Sequence, residues 1–137
     1  MFLLDTNVLS EIRKSASGRA DAGVIRWASE VPPALLFISA VTVYELEYGV
    51  LLRERSDRRQ GEQLRAWLYG AVLPAFDGRV LDVDAAVATR AARCSVPDPL
   101  PFRDALIGAT AAIHGLTVVT RDTGDYTLAR VPLLNPW

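Results

Sequence analysis

With 137 residues, half of them hydrophobic, the chain is long enough to bury the core of one compact domain and too short for two full domains. We therefore expect one folded domain over residues 1–137, without a long disordered tract. The formal net charge of −1 excludes attraction to nucleic acid through overall charge, so binding to a polyanion requires local basic groups or bound cations.

The cysteine and hydropathy patterns indicate a reducing compartment. Cys94 is the only cysteine, which excludes an internal disulfide and a zinc site built from cysteine pairs. No basic stretch is followed by an apolar segment and a cleavage site, and no apolar run reaches the roughly 18 residues of a membrane span. We expect a cytoplasmic protein that is neither secreted nor inserted into a membrane.

In the first half of the chain, predicted strands alternate with predicted helices. Apolar runs and helical spacing predict, in order, a strand at residues 2–4, a helix at 8–12, a loop at 15–18, a helix at 20–31 and a strand at 35–38. Pro32 and Pro33 end the second helix. Ser39 or Thr42 can cap a third helix, which runs through Glu45 to about residue 55.

The alternation continues in the second half. The predicted elements are a helix at 57–75, a strand at 80–83, a helix at 85–94, a stiff proline-rich loop at 97–101, a helix at 102–114, a strand at 116–120, a polar turn at 121–125 and an edge strand at 131–134. Asp84 can cap the helix at 85–94, and Gly115 ends the one at 102–114. This order predicts an α/β fold, a three-layer α/β/α sandwich with a central, mainly parallel sheet.

Four acidic residues stand near the ends of predicted elements. Asp5 and Asp122 directly follow strands, and ligands of such sheets bind beyond the carboxyl ends of the strands. Asp104 lies in the first turn of its helix, and Glu45 interrupts a helix that is apolar on most sides. We expect the four side chains to converge in one crevice.

Carboxylates packed together resist ionisation unless a cation lies between them. An all-oxygen cluster without histidine or cysteine favours a hard divalent ion, Mg²⁺ or Mn²⁺. Such ions lower the pKa of bound water, orient it for in-line attack and neutralise charge on a phosphodiester oxygen. The pattern predicts a metal-dependent nuclease.

Each acid also has a purely structural interpretation. Asp5 can cap a helix, Asp104 can interact with a helix dipole and Asp122 can stabilise a turn. Glu45 can form a buried ion pair with an arginine such as Arg121.

Arginines supply nearly all of the positive charge. Fourteen of the fifteen basic residues are arginine, whose planar fork suits phosphate and carboxylate partners. Five of them crowd into one short stretch: Arg53, Arg55, Arg58, Arg59 and Arg65. They form either a phosphate-binding patch or a solvated helix end.

Four ordered blocks carry a resemblance over essentially the full chain. They are residues 4–9 (LDTNVL), 39–49 (SAVTVYELEYG), 102–111 (FRDALIGATA) and 118–122 (VVTRD). The sequence resembles the PIN-domain nucleases, and within them the VapC-type toxins of bacterial toxin–antitoxin pairs. The resemblance implies that Asp5, Glu45, Asp104 and Asp122 bind the metal, supported by Thr6, Asn7 and Thr120. Many such toxins have asparagine at the position of Asp122 and an acid three residues later, so Asp125 competes for the fourth role.

The resemblance also implies an activity and partners. These are cleavage of RNA of the tRNA or ribosomal class, inhibition of translation and growth, a homodimer or toxin–antitoxin hetero-oligomer, and a small VapB-type antitoxin whose arginine reaches the acidic site. Arg103 stands where relatives often have a small residue, and either contacts phosphate or pairs with a carboxylate. With Arg53, Arg55 and Arg121 it forms our set of candidate RNA-binding residues.

Other functions fit the sequence less well. An aspartyl-phosphate phosphatase needs a second acid two residues after the first, and this chain has Asn7 at that position. A response-regulator receiver domain needs a switch lysine, and the only lysine of this chain is Lys14. No glycine-rich phosphate loop occurs. A degenerate nuclease fold retained for RNA or protein binding is the remaining alternative, and such a module is expected to lose at least one ligand acid. His114, Trp27 and Trp67 fit structural positions better than catalytic or base-stacking ones.

Overall fold

The computed structural model describes residues 1–137, which form five strands and seven helices joined by short 3₁₀ turns. The strands are β1 (Phe2–Leu4), β2 (Leu36–Ser39), β3 (Val80–Leu81), β4 (Thr117–Val119) and β5 (Leu133–Leu134). The helices are α1 (Thr6–Arg13), α2 (Ala22–Glu30), α3 (Ala40–Ser56), α4 (Arg58–Trp67), α5 (Leu73–Ala75), α6 (Ala85–Cys94) and α7 (Phe102–His114).

All five strands are parallel, in the order β3-β2-β1-β4-β5. In the centre, Leu3 pairs with Phe37 of β2 on one side and with Val118 of β4 on the other. The chain moves from β1 to β2 on one side and returns to β4 on the other, so the strand order reverses at β1. Open parallel sheets bind ligands at such a reversal, beyond the carboxyl ends of the strands.

Helices cover both faces of the sheet, which confirms the predicted three-layer α/β/α sandwich. Successive strand residues point to opposite faces, so Leu3 and Val118 belong to one core cluster and Leu4 and Val119 to the other. The first cluster packs against α6 and α7, and the second against α1 to α4. No helix is long and apolar enough to cross a membrane.

Short polar side chains fix where the helices begin. Asp5, Asp21, Asp57 and Asp84 each accept a hydrogen bond from a backbone N–H in the first turn of the helix that follows. Ser39, and not Thr42, caps α3, because its Oγ accepts from Val41 N at 3.0 Å.

Three predicted segments differ from the structure. The loop expected at 15–18 is largely a 3₁₀ helix, Lys14–Ser17. The helix expected at 57–75 is α-helical only to Trp67, and the wider turn Leu68–Val72 links it to α5. The polar turn expected at 121–125 continues into a 3₁₀ helix, Thr123–Ala129. The segment begins with polar residues, which is why it reads as a turn. Tyr126 and Ala129, three residues apart, lie on one side of the 3₁₀ helix and are buried against α7.

Candidate active site

Asp5 and Thr120 form the centre of the candidate site, at the carboxyl ends of the adjacent strands β1 and β4. Asp5 N donates to Val119 O at 2.9 Å, which extends the ladder by one residue and places the two side chains together. Thr120 Oγ1 then donates to Asp5 Oδ2 at 2.8 Å, and Thr6 N donates to Asp5 Oδ1 at 2.7 Å. Asp5 is 8% exposed and Thr120 is fully buried, so this carboxylate is held in one orientation.

Asn7 links the first acid to the acid after β4. Its Nδ2 donates to Asp122 Oδ2 at 3.1 Å and to Thr120 Oγ1 at 3.2 Å, and it lies 3.5 Å from Asp5 Oδ2. Asp122 N also donates to Thr120 Oγ1, at 3.0 Å. The structure therefore brings together the predicted acids Asp5 and Asp122 and two of the three predicted supporting residues.

Glu45 reaches the same crevice from α3. The Thr6 hydroxyl donates to Glu45 Oε1 at 2.9 Å and lies 3.3 Å from Thr42 Oγ1. Glu45 Oε2 lies 3.6 Å from Arg103 Nη1. The arginine paired with Glu45 is therefore Arg103, in place of the Arg121 suggested from the sequence, and the half-exposed pair is a weak one.

Asp104 and Asp125 complete the acidic group. Burial raises the pKa of Asp104 from 3.8 to about 6, and the negative charges of Asp5, Asp125 and Glu45 add to the increase. Burial also raises the pKa of Asp5, and hydrogen bonds from Thr120 and Thr6 oppose the increase. Burial and neighbouring negative charge therefore disfavour the ionised form of both carboxyls.

The acids lie in one cleft of about 370 Å³ whose lining contains no hydrophobic side chain. The cleft is lined by Asp5, Thr6, Asn7, Ser10, Glu11, Lys14, Glu45, Asp104, Arg121, Asp122 and Asp125. Its basic residues do not neutralise the central acids. Lys14 pairs with Glu11 at 2.8 Å, and the Arg121 guanidinium lies over the Trp137 ring. No arginine or lysine forms an ion pair with Asp5, Asp104, Asp122 or Asp125.

The arginine-rich stretch lies elsewhere. Arg53 follows Glu45 by eight residues, about 12 Å along α3, and neither Arg53 nor Arg55 lines the cleft. Arg65 joins α4 to α3 through Glu54 at 2.8 Å and Glu47 at 3.2 Å. Of the four arginines proposed to bind RNA, only Arg103 and Arg121 lie at the acidic residues.

The sequence pattern as a whole matches the PIN domain family over residues 2–132. This chain belongs to the PIN-domain family. It is 39% identical to the VapC ribonuclease Y4jK of Sinorhizobium fredii, over 100% of this chain and 98% of the relative. It is 37% identical to the toxin FitB of Neisseria gonorrhoeae, over 100% and 99%. The crystal structure of FitAcB from Neisseria gonorrhoeae is similar, with a TM-score of 0.89 and 36% identity, covering 100% of this chain and 99% of that one.

The PIN domain also contains site residues that the sequence did not single out. The Tyr126 hydroxyl is buried and forms no hydrogen bond of ordinary geometry, but it faces Asp5 and Asp104, and a donated proton there lowers the pKa of both carboxyls. Burial of the ring, and after it the charges of Asp5 and Asp104, raise the pKa of Tyr126 itself, so the hydroxyl stays protonated. Glu11 also lines the cleft. It lies four residues after Asn7 in α1, on the same side of the helix, so the sequence spacing could have identified it, whereas no local signal indicated Tyr126.

The donor set of this PIN domain fits a hard divalent cation. Its acids supply oxygen ligands only. Burial, and to a smaller extent neighbouring negative charge, raises the pKa of Asp5 and Asp104, and no arginine or lysine pairs with either. No three of the carboxylates converge into a preassembled ligand group. The side chains are therefore gathered in one cleft, but they are not drawn together into a finished coordination sphere.

Proposed function

We propose that this chain is a metal-dependent endoribonuclease that acts as the toxin of a toxin–antitoxin pair. The observation that carries the proposal is the cleft at the sheet reversal, which several carboxylates line and where Asp5, Asp104, Asp122 and Asp125 lack a cationic partner. Full-length similarity to proteins named VapC ribonuclease and toxin FitB supports the same activity. The substrate we propose is RNA of the tRNA or ribosomal class, and its cleavage stops translation and growth.

In this proposal Asp5, Glu45, Asp104 and Asp122 hold Mg²⁺, or Mn²⁺ in its place. Asp125 lies in the same cleft, and its charge raises the pKa of Asp104, so it can substitute for Asp122. A bound divalent cation supplies the positive charge that lets these carboxylates ionise together, and it offsets charge on the phosphodiester that is attacked by water.

Hydroxyl and amide groups of the chain orient the acids before the metal binds. Thr120 and the backbone N–H of Thr6 fix the two oxygens of Asp5, and the Thr6 hydroxyl fixes one oxygen of Glu45. The Asn7 side-chain amide donates to Asp122 and holds that carboxylate in the same cleft. Because these donors are already in place, little reorganisation is needed when a phosphate reaches the site.

We also propose a small VapB-type antitoxin as the partner, with a homodimer or a toxin–antitoxin hetero-oligomer as the assembly. The supporting observation is that the related FitB is a toxin and that a FitAcB structure shares this fold at 36% identity. An antitoxin arginine placed among the acids can take over part of the charge that the cation supplies.

Cleavage of total cellular RNA tests the function. Purified chain free of antitoxin is incubated with Mg²⁺ or Mn²⁺, or with EDTA, beside the variants Asp5→Ala and Asp104→Ala. We expect discrete fragments that require a metal, and loss of cleavage in both variants. Asp104→Ala should keep the fold, because removing one of several repelling carboxylates costs little stability. Asp5→Ala also removes the cap of α1 and the acceptor of the Thr120 hydroxyl, so it should lower the free energy of unfolding by about 1–2 kcal/mol, and thermal melting verifies that it is folded.

Asp77→Ala is the matched control, since Asp77 is exposed and lies outside the cleft. It should cleave like the unmodified chain. Cleavage that persists in both site variants refutes the assignment of the acids. Intact RNA with either metal favours the alternative, a module that binds RNA or protein without cutting it.

A further inference from the structure

A pocket separate from the acidic cleft is lined by three arginines. It lies where the second half of α6, the proline-rich loop that follows it and the end of the 3₁₀ helix Thr123–Ala129 meet, and its volume is about 350 Å³. Arg90 and Arg93 come from α6, and Arg130 ends the 3₁₀ helix. We call this site the arginine pocket. None of its lining residues lines the cleft, so it is a distinct site.

The positive charge of the arginine pocket has no partner within the chain. All ion pairs of the structure involve other cations, namely Lys14, Arg58, Arg65 and Arg103. Arg90, Arg93 and Arg130 also lie over no aromatic ring. One carboxylate, that of Asp98, lines the pocket and pairs with none of the three. Three positive charges and one negative charge therefore share one concave site, and two positive charges are left unmatched.

A buried donor of Arg90 indicates which kind of group the pocket takes. Arg90 Nε is shielded from water and has no acceptor in the chain, which is costly for a charged group. The dipole of α6 explains Arg93, which lies in the last turn of that helix, but it supplies no acceptor to Arg90 Nε. Guanidinium groups bind oxyanions through two parallel N–H donors, so an oxyanion at Arg90 satisfies this donor.

We propose that the arginine pocket binds a phosphomonoester, which is a terminal phosphate group on an organic molecule. At pH 7 such a group carries about two negative charges, which matches the unpaired positive charge of the pocket. Its terminal oxygens are strong acceptors for the three guanidinium groups. A phosphodiester within a nucleic-acid backbone carries a single charge and matches the pocket less well. This binding function is separate from RNA cleavage and does not depend on it.

The rest of the pocket suits the organic part of the ligand. Val96 is 76% exposed and Leu128 is 45% exposed, and both line the pocket beside the arginines. The volume of about 350 Å³ lies within the range of small-molecule sites, roughly 300–1,000 Å³. We therefore expect a ligand of the size of a nucleoside monophosphate. A free nucleotide and the phosphorylated end of an RNA strand share this chemistry.

Alkylation of Cys94 measures occupancy of the pocket directly. Cys94 is the only cysteine, is half-buried and lines the pocket, so a bound ligand shields its thiol. The full chain is treated with iodoacetamide in EDTA, where the acidic cleft holds no cation and repels phosphate, and the rate is followed by mass spectrometry. We expect adenosine monophosphate to slow the alkylation in a saturable manner. Adenosine, which lacks the phosphate, should leave the rate unchanged.

Two RNA octamers of one sequence distinguish the two sources of the phosphate. One octamer has a 5′-phosphate and the other a 5′-hydroxyl group. Protection of Cys94 by the phosphorylated octamer and not by the other supports the proposal and assigns the pocket to the end of an RNA strand. Protection by adenosine monophosphate without protection by either octamer supports it and assigns the pocket to a free nucleotide.

Arg130→Gly separates ligand binding from stability. Arg130 is the only non-glycine residue with a positive φ, at 54°, and glycine adopts this conformation more readily. The variant should therefore not melt below the unmodified chain, while its affinity for the protecting ligand falls roughly 10- to 150-fold, the range for loss of one charged hydrogen-bonding group. Arg93→Gln should lose affinity by a similar factor. Arg26→Gln is the matched control, because Arg26 is exposed on α2, outside the pocket, and should bind as the unmodified chain does.

Equal protection of Cys94 by succinate, a dicarboxylate, overturns the proposal and assigns the pocket to carboxylate groups. Equal protection by the two octamers also overturns it, and assigns the pocket to backbone phosphodiesters. The same holds if no phosphate-bearing probe gives saturable protection, or if protection persists unchanged in Arg93→Gln and Arg130→Gly. Because none of these measurements involves RNA cleavage, their outcome is independent of the ribonuclease function proposed above.

Discussion

Replacing Asp104 by asparagine should stabilise the metal-free protein at neutral pH. Burial and neighbouring negative charge raise the pKa of this carboxyl from 3.8 to about 6 in the folded state, so above pH 6 its ionisation opposes folding. A tenfold change in proton affinity corresponds to about 1.4 kcal/mol, which gives an upper bound of about 3 kcal/mol. Water screens the partly exposed group, and we expect ~1–2 kcal/mol of this to be recovered in Asp104→Asn.

The sign of the pH dependence follows from the elevated pKa. A carboxyl that binds its proton more tightly in the folded state favours folding at low pH, and this contribution is lost as the pH rises from about 4 through 6. In EDTA at pH 7.5, Asp104→Asn should therefore melt about 3–6 °C above the unmodified chain. The difference should shrink toward zero at pH 4.

Mg²⁺ should reverse the order of the two melting temperatures, so that the unmodified chain melts above Asp104→Asn. Mg²⁺ binds the folded protein and raises its melting temperature with concentration, whereas the asparagine variant should gain much less. Asp77→Asn controls for the loss of one negative charge at an exposed position and should shift neither series. A variant that melts at or below the unmodified chain in EDTA at pH 7.5 would refute the argument that crowding in the cleft opposes folding.

Three further substitutions test separate parts of the structure. Arg103→Ala frees Glu45 from its only ion pair and should lower the Mg²⁺ concentration needed for half-maximal thermal stabilisation by a few-fold; an unchanged midpoint contradicts this. Gly108→Ala places a Cβ 2.7 Å from a buried methyl group and should cost about 1–3 kcal/mol in urea unfolding, whereas Gly49→Ala, in open space, should be neutral or stabilising. Tyr126→Phe should change the free energy of unfolding by less than about 1 kcal/mol, because the hydroxyl has no hydrogen-bond partner, yet shift the acidic limb of the cleavage pH profile upward. An unshifted limb would show that this hydroxyl does not act on the acids.

The amino-acid sequence alone predicted the layers of the fold and proposed the four acids as site residues. Strand residues such as Leu3 and Leu4 are apolar in succession because both faces of a parallel sheet are covered, and that pattern is visible without a structure. Asp5 directly follows such a strand, so its place at the sheet edge followed from the topology. The match to the PIN domain family over residues 2–132 agrees with the predicted layers.

Tertiary structure decided which side chains meet. The sequence suggested Arg121 as the partner of Glu45 and left the partner of Arg103 open, and only the packing of α7 against α3 places Arg103 at 3.6 Å from Glu45. Tyr126 lies in a segment that begins with polar residues, and its burial depends on contact with α7 across Gly108. The elevated pKa of Asp104 likewise arises from carboxylates that are distant along the chain. The local sequence pattern predicts which residues lie at the edge of the sheet. The electrostatic interaction between carboxylates depends on the distances between them, and only the folded chain defines those distances.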